Sequence, residues 1–169
     1  MRARATGRLL AAVLLAGCTA ATPSAAPSAS EAPALSLDSL AAMPVDEREE
    51  GVAMAFEPRA AAELLQEVPR DLDFGTSAVV CVFLGPRQTT GWGLDLSTVS
   101  LSDGVLTIRA RESVPRGTTR PVVTYPADCG LVPRAALPVG ELTVRADDTV
   151  SGEFIADAVI DVPPPSSAP

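Results

Sequence analysis

The side chains able to do chemistry in this chain are few in kind. Its cysteines are Cys18, Cys81 and Cys129, and it has one Trp, Trp92, and one Tyr, Tyr125. There is no His, and every one of its 13 cationic side chains is Arg. That removes imidazole-based dyads and imidazole metal sites, and it removes Schiff-base and P-loop lysines. The 21 carboxylates gather as Asp71 with Asp73, as Glu47, Glu49 and Glu50, and as Asp147 with Asp148. None has EF-hand spacing or sits beside a Gly-rich loop, so they read as surface solvation. No Gly-x-Ser-x-Gly elbow is present. The expectation is a protein that is not an enzyme, with no cofactor and no metal. A net charge of −8 and a pI near 4.5 also make nucleic acid a poor partner.

The start of the chain carries chemistry of another kind. Arg2, Arg4 and Arg8 precede an apolar run from Leu9 to Ala16. That run is far shorter than the ~20 residues a spanning helix needs, and it fits the apolar core of a secretory signal. Leu15-Ala16-Gly17-Cys18 resembles the bacterial lipobox. The resemblance implies cleavage before Cys18, diacylglycerol on its sulfur and an acyl chain such as palmitate on its amine. Two or three acyl chains hold a protein stably, since each buried methylene contributes roughly 0.8 kcal/mol. The expected organisation is a lipoprotein signal peptide over 1–17 and an Ala/Ser/Pro tether over 18–34 that stays disordered. A single β-rich domain over 35–161 and a disordered Pro-rich tail over 162–169 follow. The expected location is the bacterial cell envelope, outside the cytoplasm, with the lipid on Cys18 as the only membrane attachment.

With Cys18 lipidated, Cys81 and Cys129 form an even pair in an oxidising compartment. Chain entropy credits a bridge closing so long a loop with on the order of 4 kcal/mol. The other reading is two buried thiols serving as small core residues.

Between the tether and the tail the pattern is mostly extended. Val52–Phe56 alternates as an early strand. Pro58 opens a helix, and the spacing of Ala61, Ala62, Leu64, Leu65 and Val68 carries that helix over 59–68, up to Pro69. Ala78–Leu84 is a continuous apolar run and reads as a central strand covered on both faces. Trp92, Leu94 and Leu96 alternate, Ser102-Asp103-Gly104 turns a hairpin, and Leu106, Ile108 and Ala110 alternate on the return. Pro121–Pro126 is extended. Leu142 and Val144 alternate, Asp147-Asp148 turns, and Val150–Ile155 closes a last hairpin with a bulge at Gly152. About six short strands with one short helix predict a mainly β, α+β fold, either an antiparallel β-sandwich or a partly open barrel.

The segment from Gly85 to Trp92 joins the most apolar strand to the next. Its glycines permit unusual backbone angles, and Pro86 stiffens it. Trp92 has two readings, a core plug beneath the loop or part of a shaped surface that a partner grips. Arg87, Thr89, Thr90, Gly91 and Trp92 form the candidate partner-binding loop.

Several residues here resemble the PrcB family of protease-complex subunits. They are Asp73-Phe74, Val79-Val80, Leu84-Gly85, Thr89-Thr90-Gly91-Trp92, Val114-Pro115-Arg116-Gly117 and Thr124-Tyr125-Pro126. Thr90 and Trp92 stand where that family carries Gly and Tyr. The similarity runs from Leu72 to Val144. It implies an exported, often lipidated protein that supports another exported protein, a protease in the case that named the family. Thr89-Thr90-Gly91-Trp92 also resembles one loop of chagasin-type cysteine-protease inhibitors, whose other two inhibitory loops have no counterpart here. The alternative it implies is inhibition of a protease by the same loop.

Overall fold

Ser77–Phe83 forms β4, and the physics of that apolar run organises the fold. The structure, a computed structural model, describes residues 34–40, 43–45 and 47–165. The signal segment 1–17, Cys18, the tether up to Pro33 and residues 166–169 lie outside the described residues. Within them, β1 is Ala34–Leu35, β2 Asp38–Ser39 and β3 Gly51–Ala55. The helix α1 is Pro58–Ala61, and β5 and β6 are Gly93–Ser102 and Val105–Ser113. The chain continues with β7 at Ala127–Pro133, a 3-10 turn at Arg134–Ala136, β8 at Gly140–Asp148 and β9 at Phe154–Val162.

The strands make two sheets, one in the order β1-β5-β6-β8-β9 and one in the order β2-β7-β4-β3, with no closed barrel. The architecture is therefore the expected one, mostly β in two sheets with one short helix. β4 alternates between two clusters because successive side chains point to opposite faces. Ala78, Val80 and Val82 meet Leu106, Ile108, Leu142 and Val144 of the other sheet. Val79, Cys81 and Phe83 meet Ala55, Leu64, Leu65 and Cys129 on the outside. All but Phe83, Leu64, Leu65 and Cys129 of these are fully inaccessible to solvent, and those four nearly so. Full burial of each large aliphatic contributes about 1.5–3 kcal/mol.

Four details depart from the pattern read in the sequence. First, α1 stops at Ala61; Ala61, Leu64 and Leu65 are buried as the spacing required, but Ala62 is exposed and Val68 only half-buried. Past it the backbone turns to pair with an earlier segment: Val45 N donates to Leu64 O and Gln66 N to Met43 O, each at 2.9 Å. Those bonds replace the helical ladder that would have run on to Val68.

Second, β6 and β8 are parallel, with Val105 opposite Thr143 and Ala110 opposite Asp148. The crossover between them passes through the other sheet as β7. The remaining strand pairings are antiparallel.

Third, the last strand begins at Phe154 and continues to Val162, which is buried opposite Gly140. The segment expected to be free from 162 is therefore held at its start. Pro163 and Pro164 accept hydrogen bonds from Arg134 Nη2 at 2.5 and 3.2 Å. Gly152 (φ +71°) lies in the β8–β9 turn, and the bulge falls instead between Ala146 and Asp147.

Fourth, Asp147 and Asp148 end β8 as buried residues and do not solvate the surface. Asp147 pairs with Arg145 at 2.6 Å and approaches Arg109 at 4.0 Å. The Asp148 carboxylate takes the backbone N–H groups of Glu112, Val150 and Ser151 and the Ser151 hydroxyl. It therefore ties the β8–β9 turn to the end of β6. The hairpin expected at Ser102-Asp103-Gly104 is present. Asp103 (φ 51°) and Gly104 (φ 76°) both take the left-handed angles that a two-residue hairpin turn requires.

Candidate functional site

The loop after β4 is shaped by one glycine before it is shaped by any side chain. Gly85 has φ +69°, and a Cβ there would stand 2.9 Å from the backbone nitrogen of Glu50. Only glycine meets both conditions. The chain then runs beside the 114–126 segment and is clamped to it. Arg87 and Thr124 exchange backbone hydrogen bonds of 2.8 and 2.9 Å. Thr124 Oγ1 donates to Thr89 O at 3.0 Å. Thr90 N donates to Arg120 O at 3.1 Å, and Arg120 N returns a bond to Thr90 Oγ1 at 3.2 Å. Gly91 (φ +93°) passes Pro115 closely, where a Cβ would meet the proline ring at 3.3 Å.

The structure assigns different jobs to the five loop residues singled out in the sequence. Thr89 and Thr90 turn their hydroxyls inward as acceptors, and Gly91 supplies a turn. Arg87 is a brace: its Nη1 donates to Leu84 O at 2.7 Å and its Nη2 pairs with Glu112 at 3.2 Å. Its guanidinium also lies 5.4 Å from the centroid of the Trp92 ring. Trp92 Nε1 donates to Thr89 Oγ1 at 3.2 Å. Trp92 is half-buried and belongs to neither core cluster, so it is not a core plug. With its N–H engaged, the indole presents only ring surface.

That surface lines a shallow, open depression of about 480 Å³ together with Glu47, Val123, Thr124, Tyr125 and Pro126. The single Trp and the single Tyr of the chain therefore share one concavity. Glu47 is held at φ 62°, a left-handed angle that is uncommon for a residue other than glycine. Val122 and Val123 stay 52% and 46% exposed, so apolar surface continues beside the depression. Tyr125 had been visible in the sequence as part of the Tyr-Pro corner. Glu47 carried no signal, because nothing local connects it to residues 92 and 125.

Cys81 and Cys129 face each other across β4 and β7, with sulfurs 2.01 Å apart, at disulfide distance. Both are buried in the outer cluster, away from the depression's lining. Beside Cys129, the half-buried carboxylate of Asp128 accepts from Leu96 N at 2.8 Å and from Cys129 N at 2.9 Å, linking the two sheets. Burial pushes the Asp128 carboxyl above the ordinary carboxylate range, against the pull of those two N–H groups, and the nearby Asp95 charge adds to the rise. Asp148 shifts the other way, because the Ser151 N–H and hydroxyl, followed by Glu112 and Val150, stabilise its charge.

Asp73, grouped with Asp71 in the sequence, accepts from Gly75 N at 2.8 Å and from the Thr76 hydroxyl at 3.1 Å, as a turn carboxylate does. Among the described residues no group of three or more His, Cys, Asp or Glu side chains converges as a metal site. None of their helices is long and apolar enough to cross a membrane. Cys18, the expected lipid attachment site, lies outside the described residues. Compared with protein-family models, with curated proteins and with solved structures, the chain finds no match in any of the three.

Proposed function

We propose that this chain is a lipoprotein of the bacterial cell envelope, anchored through Cys18. On this reading its β-rich region acts without catalysis, by binding another exported protein and supporting its stability. One observation carries the proposal. Trp92 is braced from one side by Arg87, its N–H is used within the loop, and its ring is left to line an open depression with Tyr125. Rigid aromatic surface set beside exposed apolar side chains is the composition of an interface core. The lipobox-like start, the cysteine pair at disulfide distance and the lack of His and Lys agree with an exported binding protein. The resemblance to the PrcB family makes an exported protease the first partner to look for.

The test is retrieval of the partner from solubilised envelopes by the full chain. Wild type is expected to retain a defined protein, and a Trp92→Ala chain that melts as wild type is expected to lose it. Equal retrieval by that variant removes the loop from the interface. Mass analysis of the native amino terminus is expected to find a lipidated Cys18, and an intact unlipidated start would overturn the anchoring. Titration against papain-like and serine proteases separates support from inhibition: slowed turnover at micromolar protein would replace the supporting role with the chagasin-like one.

A further inference from the structure

We propose that the depression between Trp92 and Tyr125 is a subsite for a guanidinium group, the side chain of an arginine presented by the protein partner. This rests on the reading of the Trp92 loop given above, and it names the chemistry that the loop selects.

The lining combines two aromatic residues with one acidic residue. Trp92 contributes ring surface whose N–H is already donated to Thr89, so it has attraction for a cation but no free donor to offer an anion. Tyr125 adds the second ring and Glu47 the negative charge. Glu47, exposed as Glu49 and Glu50 are, makes no hydrogen bond or ion pair with any described residue.

Two neighbouring cations, Arg48 and Arg87, are already engaged. Arg48 donates from Nη2 to Glu63 O and lies 5.3 Å from the Phe83 ring centroid. Arg87 is held by Leu84 O and Glu112 and is not part of the lining. The site is thus negative and aromatic within a chain of net charge −8. That complements a basic group and repels an acidic one. A guanidinium suits it better than an ammonium, because it is planar, stacks on rings and is less strongly hydrated. Arg87 already lies over the Trp92 ring. A partner arginine in the depression would add a second cation to the same indole, with Glu47 offsetting their repulsion.

The single indole makes the test direct. In the 15N-labelled full chain, the Trp92 Nε1–H resonance is followed during titration with acetyl-arginine amide, and separately with its neutral isostere acetyl-citrulline amide. The arginine probe is expected to shift the indole and the backbone resonances of residues 123–125 saturably, and the citrulline probe is not. Glu47→Gln is expected to weaken the arginine probe at least about fivefold, the loss of one charge contact at a partly exposed site. Tyr125→Leu is expected to weaken it comparably, and serves as the second variant should Glu47→Gln disturb the fold. Equal shifts from the two probes, or unchanged affinity in both variants, would overturn the proposal. So would saturable binding of acetyl-triproline amide at these resonances in place of arginine.

Failure of this inference stays distinct from failure of the partner reading. A partner retrieved by wild type and by Glu47→Gln alike leaves the interface standing without its arginine. Arginine binding with no partner retrieved leaves the subsite standing without the proposed role.

Discussion

Two regions joined by β4 are held together by different physics. On its outer face, Cys81 and Cys129 sit beneath Leu64, Leu65 and Ala61, where apolar burial does the positioning. Just past its end, the Gly85–Trp92 loop is held by backbone and side-chain hydrogen bonds to residues 112–124. The first region is a dry apolar cluster in which Cys81 and Cys129 are buried. The second satisfies its polar atoms internally and leaves a ring surface facing outward. On the proposed reading, stability and recognition occupy separate places, and damage to one is expected to spare the other.

The largest effect is expected from Cys81→Ser or Cys129→Ser. Loss of a bridge in a small exported domain costs about 2–5 kcal/mol, read as a lower urea midpoint. Below the new melting temperature the Trp92 indole resonance should be unchanged. A shifted indole would show that the two regions are coupled. Asp148→Ala comes next. It leaves the N–H groups of Glu112, Val150 and Ser151 without their acceptor and should cost about 1–3 kcal/mol.

The same carboxylate sharpens the comparison through pH. The folded-state value of Asp148 is lowered, so its contribution is present above the ordinary carboxylate range and is lost as pH falls through that lowered value. Urea unfolding on the acid side should therefore weaken less steeply in Asp148→Asn than in wild type. Asp128 has the opposite sign. Its folded-state value is raised, so its contribution is greatest in acid and declines as pH rises through that value. Asp128→Asn should remove that decline, and an unchanged slope would mean the site is wetter than its burial indicates.

Gly85→Ala should cost about 1–2 kcal/mol, since it meets both a positive φ and the Glu50 backbone. Unlike the cysteine variants, it should move the Trp92 indole resonance. Arg87→Ala should have the smallest effect on stability, about 1 kcal/mol or less for a part-exposed ion pair and ring contact. Its expected signature is partner retrieval weakened out of proportion to that loss. If retrieval falls only as far as melting temperature does, Arg87 is a structural brace alone.

Much of the fold was legible because burial leaves a period in the sequence. The β4 run, the alternation on either side of Asp103-Gly104 and the cluster of Ala61, Leu64 and Leu65 all report which faces are dry. Where polar groups decide, the reading failed. The helix past Ala61 gave way to backbone pairing with residues 43–45, and Asp147 and Asp148 proved to be internal anchors. Of the candidate loop, the position and its turn residues were legible, but Thr89 and Thr90 were indistinguishable from outward contacts until their partners were seen.

The sequence by itself determined the reactive inventory and the apolar strand, because composition and hydrophobic period are local properties. Only the tertiary structure decided that Glu47, Trp92 and Tyr125 share one depression, and that β6 lies parallel to β8. Both follow from contacts between residues far apart in the chain, which no local pattern encodes.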